Sequence, residues 1–333
     1  MMDGSSAKVY AVSSLLLTVL SAASCTGYQL RAYRDDHLVE NYSYTLGEQY
    51  IRVDGMNLCY QEMGEGETIL ILPGLGTSID YWQLNIPALA EHYHVVALDY
   101  PGFGKSDKPD VAYELPWIVK EIFAFMDAKG IERTAVIGGS LGGHLGLLMA
   151  LERPDRVSKL VLMGSVGIWQ PPNFPMDVAL RTLWRDSAFI EITRSRWPEF
   201  HAKLFRHGTP LTARLFLHAM AVRANYRQYF PQGRAASRAF RNIFYASCRD
   251  RLDEVRCPVL LIWGEEDEIH PAKDLGMYFR SHLPDARLVV VPDAAHEVMM
   301  DRPEVFNDLV IRFVASGTEA IEDRLPSNKV RKR

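Results

Sequence analysis

The chain has 333 residues, of which 48% are hydrophobic and 23% charged, and a formal net charge of −4. That length and apolar share can bury a full core in one large domain with an insertion, which excludes a chain too polar to fold. The mild acidic balance carries no nucleic-acid motif, and neither the histidines nor the four cysteines show metal-ligand spacing, so no nucleic acid, metal or nucleotide cofactor is expected.

The first apolar run, Val9 to Ser24, follows Lys8 and ends at Cys25. At about sixteen residues it is shorter than the ~20 that a membrane span needs and suits the apolar region of an export signal. Ala22-Ala23-Ser24-Cys25 resembles a bacterial lipoprotein signal, in which the cysteine is lipidated. Residues 1–25 are therefore expected to be an export segment with Cys25 as the lipidation candidate, and residues 26–47 a tether. An uncleaved anchor and simple secretion are the alternatives. Each puts the rest of the chain outside the cytoplasm, and the lipidated and anchored forms associate with the membrane. Cys59, Cys248 and Cys257 then remain, an odd number that allows at most one internal disulfide, with Cys248–Cys257 possible.

A hairpin follows, with strands at 50–53 and 57–61 turning at Asp54-Gly55. Strands near 68–72, 94–98, 133–137, 158–163, 258–263 and 287–291 alternate with helices near 79–91, 114–128, 141–152, 272–283 and 303–315, as βαβ units require. With the hairpin, this predicts an α/β fold with a mostly parallel, eight-stranded sheet covered by helices on both faces.

The strand ends carry the chemistry. After 68–72 comes Pro73-Gly74-Leu75-Gly76, where glycines on either side of Leu75 free the backbone to turn an N–H inward. Val136-Ile137-Gly138-Gly139-Ser140-Leu141-Gly142-Gly143 passes from strand to helix without a spacer. Such a turn lifts the intervening serine clear of the sheet, and the helix N-terminus behind it favours developing negative charge. Gly164-Ser165-Val166-Gly167 ends the next strand without a carboxylate.

The alternation then stops between Val166 and about Val255, in a helical, aromatic insertion with Trp184, Phe189, Trp197, Phe200, Phe205, Phe216, Phe240 and Phe244. Residues 171–251 hold thirteen arginines and one lysine against five acids. That surplus could steer anionic substrates or meet anionic lipid, or could simply be solvated helix faces. After the strand at 258–263, Gly264-Glu265-Glu266-Asp267-Glu268-Ile269-His270-Pro271 offers four acids on the edge where open α/β sheets bind ligands. After 287–291, Pro292-Asp293-Ala294-Ala295-His296-Glu297 offers a histidine. A serine hydroxyl becomes a nucleophile only when a base takes its proton and a third group orients that base.

Together these pieces resemble the α/β-hydrolase family, in its branch with a helical cap, over about residues 48 to 316. The strand and turn from Val95 to Asp107 look like the family's as well. The resemblance implies a core at 48–166 and 256–316, a cap at 167–255 inserted after the sixth strand, and a basic, disordered tail at 317–333. It implies Ser140 as nucleophile, His296 as base, and the backbone N–H groups of Leu75 and Leu141 as the oxyanion hole. Asp267 is chosen as the third triad member because its spacing from Gly264 and Pro271 resembles the family's acid loop; His270 is too close to it in sequence to serve as the base. The family's usual histidine is replaced by Pro73.

The expected activity is esterase- or lipase-like hydrolysis of carboxylic esters, small-molecule or lipid, through an acyl-enzyme. The first alternative is hydrolysis of a carbon–carbon bond in ring-cleavage products, whose enzymes Leu160 to Gly167 resemble. They usually carry tryptophan where this chain has Glu297, and serine-glycine-proline-glycine in the oxyanion loop. A non-catalytic ligand-binding hydrolase scaffold is the remaining alternative.

Overall fold

The structure is a computed structural model and describes residues 47–169, 173–209, 211–213, 215 and 226–325. The expected export segment, Cys25, nearly all of the tether, Phe216 and the last eight residues lie outside the described residues. The membrane association expected of the N-terminus gains no support from the rest, and among the described residues no helix is long and apolar enough to cross a membrane.

Eight strands form one sheet in the order β1-β2-β4-β3-β5-β6-β7-β8. They are β1 (Gln49–Val53), β2 (Met56–Met63), β3 (Thr68–Leu72), β4 (His94–Leu98), β5 (Thr134–Gly139), β6 (Val157–Met163), β7 (Val259–Gly264) and β8 (Ala286–Val291). β1 and β2 are antiparallel, β2 runs antiparallel to β4, and every later pairing is parallel.

Parallel strands joined by crossover helices are covered on both faces, so their side chains alternate between two cores rather than between core and water. Leu70, Leu72, Val136, Leu160, Leu162, Leu261 and Val290 pack on one face. Ile69, Ile71, Ile137, Val161, Ile262 and Val291 pack on the other. This is why these strands read in sequence as unbroken apolar runs.

The helices Leu115–Ala128, Leu141–Glu152 and Pro303–Ser316 lie close to their expected bounds. Two others are broken up. The expected helix at 79–91 is a single 3-10 turn, Ile79–Trp82, and a short α-helix, Ile86–Ala90, that opens on Pro87. The one at 272–283 starts with a π turn, Ala272–Gly276, before Met277–His282.

Between β6 and β7 the insertion expected to be a cap, and called the cap below, contributes Phe174–Thr182, Asp186–Ser195, Trp197–Leu204 and Tyr226–Ile243. Its last helix grips the core loop after β4. Arg238 donates to Asp110 at 2.7 Å and to the Val111 carbonyl at 2.6 Å, Arg234 pairs with Asp110 at 2.7 Å, and Asn242 donates to the carbonyls of Ala112 and Tyr113. Trp184, Phe189 and Phe240 pack on one another within the cap, whereas Phe205 stacks on Tyr81 and Phe200 is exposed.

The tail departs from its expected disorder up to residue 325. Arg324 exchanges backbone hydrogen bonds with Leu288 and Val290, Asp323 pairs with Arg280, and Ile321 is buried. The edge of β8 exposes unpaired backbone groups, and this segment satisfies some of them. Cys59, Cys248 and Cys257 are free and buried, so the Cys248–Cys257 disulfide is not formed.

The helix behind β5 comes so close to the sheet that a Cβ on Gly142 would lie 2.0 Å from the Leu72 carbonyl oxygen, and one on Gly138 would lie 2.3 Å from the Gly142 carbonyl carbon. Neither clash involves a side chain that could move aside. Gly142→Ala is therefore expected to destabilise the protein by about 3 kcal/mol or to prevent folding, as severe overpacking does; a thermal melt checks it.

Candidate active site

Every parallel strand ends on the same edge, and the candidate residues lie just beyond those ends. Ser140 joins β5 to its helix with φ +51° and ψ −112°. A non-glycine residue there is strained by on the order of 1–3 kcal/mol. Its conformation is held by its N–H, which donates to the Met163 carbonyl at 2.8 Å, and by its carbonyl, which accepts the His144 N–H at 3.2 Å.

Of the four acids after β7, only Asp267 is buried. One of its carboxylate oxygens accepts the N–H groups of Ile269 and His270, both at 2.8 Å, and the other meets His296 Nδ1 at 2.8 Å. Burial alone would raise the pKa of this carboxyl. The His296 charge, the hydrogen bond to it and His270 outweigh burial, so the pKa lies below the ordinary value. Burial likewise pulls the His296 pKa down, but Asp267 and, more weakly, Glu297 hold it above the ordinary 6.5.

Gly164 gives these groups room to meet. With φ +50°, its missing Cβ would stand 2.9 Å from His296 Cε1 and 3.4 Å from an Asp267 carboxylate oxygen. Met163, just before it, holds Ser140. The loop that offers no carboxylate in sequence thus supplies space, and the three triad candidates gather around its backbone. Among the described residues the Ser140 hydroxyl makes no hydrogen bond, and catalytic contacts of this kind commonly tighten only once substrate is present.

The loop after β3 crosses the serine, with Ser140 Cβ 3.4 Å from where a Gly74 Cβ would stand. The Leu141 N–H opens a helix and has no acceptor within it. Among the described residues no acceptor for the Leu75 N–H is present either, so both amides are available to an oxyanion. Pro73 replaces the family histidine, and its carbonyl accepts the Tyr100 hydroxyl at 3.0 Å. Thr77 ties down the Gly74 carbonyl through both its N–H and its hydroxyl. Tyr100 was not visible as a site residue, because an apolar strand followed by a tyrosine looks like core.

Three more neighbours escaped the sequence. His270, set aside as a rival base, packs edge-on against His296 with ring centroids 5.1 Å apart. Its own pKa is pushed down to about 3 by burial and by the His296 charge, so the ring stays neutral. Trp169 packs edge-on against His270 at 6.0 Å and stacks on Phe244, which extends an aromatic wall from the site into the cap. Glu297, directly after His296, is buried, and burial pushes its pKa up to about 7. No group of His, Cys, Asp or Glu among the described residues could hold a metal ion. A cleft of about 490 Å³ at the base of the cap, lined by Asp110, Trp184, Asp186, Arg238 and Arg241 among others, includes none of the triad candidates.

Comparison with known proteins extends this picture. The model of the alpha/beta hydrolase fold family matches residues 67–303. The chain is 32% identical over 288 residues to a 2-hydroxy-6-oxononadienedioate/2-hydroxy-6-oxononatrienedioate hydrolase of Paraburkholderia xenovorans (strain LB400), covering 80% of this chain and 95% of that protein. Among solved structures, a meta-cleavage product hydrolase from Pseudomonas fluorescens IP01 superposes with a TM-score of 0.65 at 25% identity, covering 80% of this chain and 97% of the other. A membrane phospholipase A superposes with a TM-score of 0.67 over 92% of this chain and 98% of its own, at 24% identity, a likeness of fold alone.

The curated relatives overturn the expected ester specificity. Several are named as hydrolases of 2-hydroxy-6-oxo-dienoates or -dienedioates, and the superposed structure is a meta-cleavage product hydrolase, so the alternative reading is the one they support. Residues alone misled here because a serine triad and two backbone amides serve either leaving group. The oxyanion loop acts through main-chain N–H groups, so its side chains say little about the substrate.

The raised His296 pKa has a testable consequence. The base must be neutral to accept the serine proton, so modification of Ser140 by a fluorophosphonate should rise with pH through an apparent pKa above 6.5. Asp267→Asn removes the charge that raises it, so the same limb should move to lower pH while the plateau falls by about 10⁴-fold, from loss of the correct tautomer. A pH series of labelling rates checks both.

Proposed function

This chain belongs to the α/β-hydrolase family, and on that premise we propose that it hydrolyses a carbon–carbon bond in a 2-hydroxy-6-oxo-dienoate of the kind formed by ring cleavage. The observation that carries the proposal is the 32% identity to a dienedioate hydrolase, matched across 95% of that relative. The chemistry follows from the substrate's name. A 2-hydroxy-6-oxo-dienedioate has no ester or amide, so its hydrolysis adds water across the bond between C5 and the C6 ketone.

Three steps achieve this. First, ketonisation moves the 2-hydroxyl proton to C5, leaving a 2-oxo group conjugated to the remaining double bond. Next, His296 takes the Ser140 proton as the serine oxygen attacks C6, and the Leu75 and Leu141 amides hold the resulting oxyanion, an interaction worth roughly 3 kcal/mol per donor. The oxyanion collapses and breaks the C5–C6 bond. The electron pair of that bond delocalises onto the 2-oxo oxygen, which takes the proton from His296. A 2-hydroxydienoate departs and an acyl-Ser140 remains. Finally, water deprotonated by His296 attacks the acyl group, and a carboxylic acid leaves as Ser140 regains its proton. Asp267 keeps the imidazole in one tautomer and stabilises its charged form throughout.

Two further features support an anionic substrate behind an apolar screen. The positive surplus over residues 171–251 would draw a dianion towards the cap. The wall of Trp169 and Phe244 beside His270 would exclude water from the reacting carbonyl.

With 2-hydroxy-6-oxononadienedioate, the native chain should bleach the conjugated substrate and release a carboxylic acid in equal amount. Ser140→Ala should lower turnover by at least about 10³-fold. Spectrophotometry combined with product chromatography decides it; hydrolysis of p-nitrophenyl esters with no loss of the dienedioate would overturn the reading.

A further inference from the structure

The loop that carries His296 is bonded to the cap on both sides of the imidazole. Asp301 sits at the end of the short helix Val298–Asp301 and is only 9% exposed. Its carboxylate accepts three backbone N–H groups. One is from Ala295, directly before the histidine, at 2.9 Å; the others are from cap residues Arg206, at 2.8 and 3.0 Å, and His207, at 3.1 Å. On the other side of the imidazole, the Glu297 N–H donates to the cap carbonyl of Leu204 at 2.9 Å. Asp293, in the same loop and at φ +56°, pairs with His207 at 3.0 Å, and Arg206 reaches Glu266 in the acid loop at 2.8 Å.

We propose that Asp301 is a positioning residue that seats His296 only while cap segment 204–207 is docked, so that closure of the cap assembles the base. The inference rests on Ser140 and His296 acting as nucleophile and base, and not on which bond is cut. Its physical ground is the set of partners on one buried carboxylate. Two of its three N–H donors belong to the cap. If the segment leaves, a nearly buried charge keeps a single donor, and the loop must rearrange to hydrate it. The same departure removes the Leu204 carbonyl from the Glu297 N–H, so the histidine loses its brace on both flanks together. A left-handed Asp293 adds strain that the docked contacts hold in place.

Fluorophosphonate labelling of Ser140 in the full chain tests this, because it reads activation of the nucleophile without a choice of substrate. Asp301→Ala should label at least tenfold more slowly than the native protein at a temperature where melts show both folded, and Asp301→Glu should recover some of the rate. Arg206→Pro deletes one cap N–H together with the Arg206–Glu266 pair, and Arg206→Ala, which removes the pair alone, is its control and should label at the native rate. The preceding Phe205, at φ −122° and ψ 140°, already has the backbone that a following proline requires. Arg206→Pro should slow labelling in the same direction. Native rates in folded Asp301→Ala would overturn the proposal. So would a native rate in Arg206→Pro beside a slow Asp301→Ala, which would confine Asp301 to its own loop. Failure of the native protein to label at Ser140 would instead remove the nucleophile and base themselves, and the proposal with them.

Discussion

The close approach of backbone to backbone at the C-terminal edge of β5 sets the geometry of everything that follows. Gly138 faces Gly142 across the turn, and Gly142 lies against the carbonyls of Leu72 and Pro73. Because no side chain separates these segments, the helix begins immediately behind Ser140 and the loop after β3 passes directly over it. That contact explains the strained serine, the free amide of Leu141 and the proximity of Gly74 at once. On the neighbouring strand, Gly164 has the same role: the absence of a Cβ is what lets the imidazole and the Asp267 carboxylate meet. The site is built from removed side chains as much as from reactive ones.

Around this frame, buried carboxylates act through the donors that satisfy them. Asp267 is held by two backbone N–H groups and an imidazole, Asp99 by the N–H groups of Ile79 and Lys105, and Asp301 by three N–H groups from two regions of the chain. Burial penalises each charge, and the number and kind of partners decide the outcome. Asp267, with a cationic partner, ends below the ordinary range, whereas burial pushes Asp99 up to about 7. The contrast separates an acid that holds an imidazole from one that pins a turn.

Among the described residues, two of the cap's attachments to the core differ in character. Arg234, Arg238 and Asn242 fasten its last helix to the loop after β4, away from the triad candidates, whereas residues 204–207 fasten it to the loop that carries His296. The first attachment involves the exposed Asp110 and is screened by water. The second centres on the buried Asp301 carboxylate, beside His296. Several cap arginines that looked unpaired in sequence are committed to such contacts, as Arg206 is with Glu266 and Arg238 with Asp186.

The sequence by itself determined the strand order along the chain and the strand-turn-helix at Ser140, and it singled out Asp267 and His296 as the candidate partners. These features leave local marks: unbroken apolar runs bounded by glycine, and polar residues placed just past strand ends. Glu265, Glu266 and Glu268 could be told from Asp267 only through family likeness, and in the fold that choice becomes a matter of burial. The roles of Tyr100, His270, Gly164 and Asp301, the ordering of residues 317–325 and the splitting of the helix at 79–91 were decided only by tertiary structure. Each depends on a partner far away along the chain or on a gap where no atom sits, and neither leaves a periodicity in the sequence. The leaving group was equally illegible, because a serine, an imidazole and two amides treat a carbonyl alike whether oxygen or carbon departs.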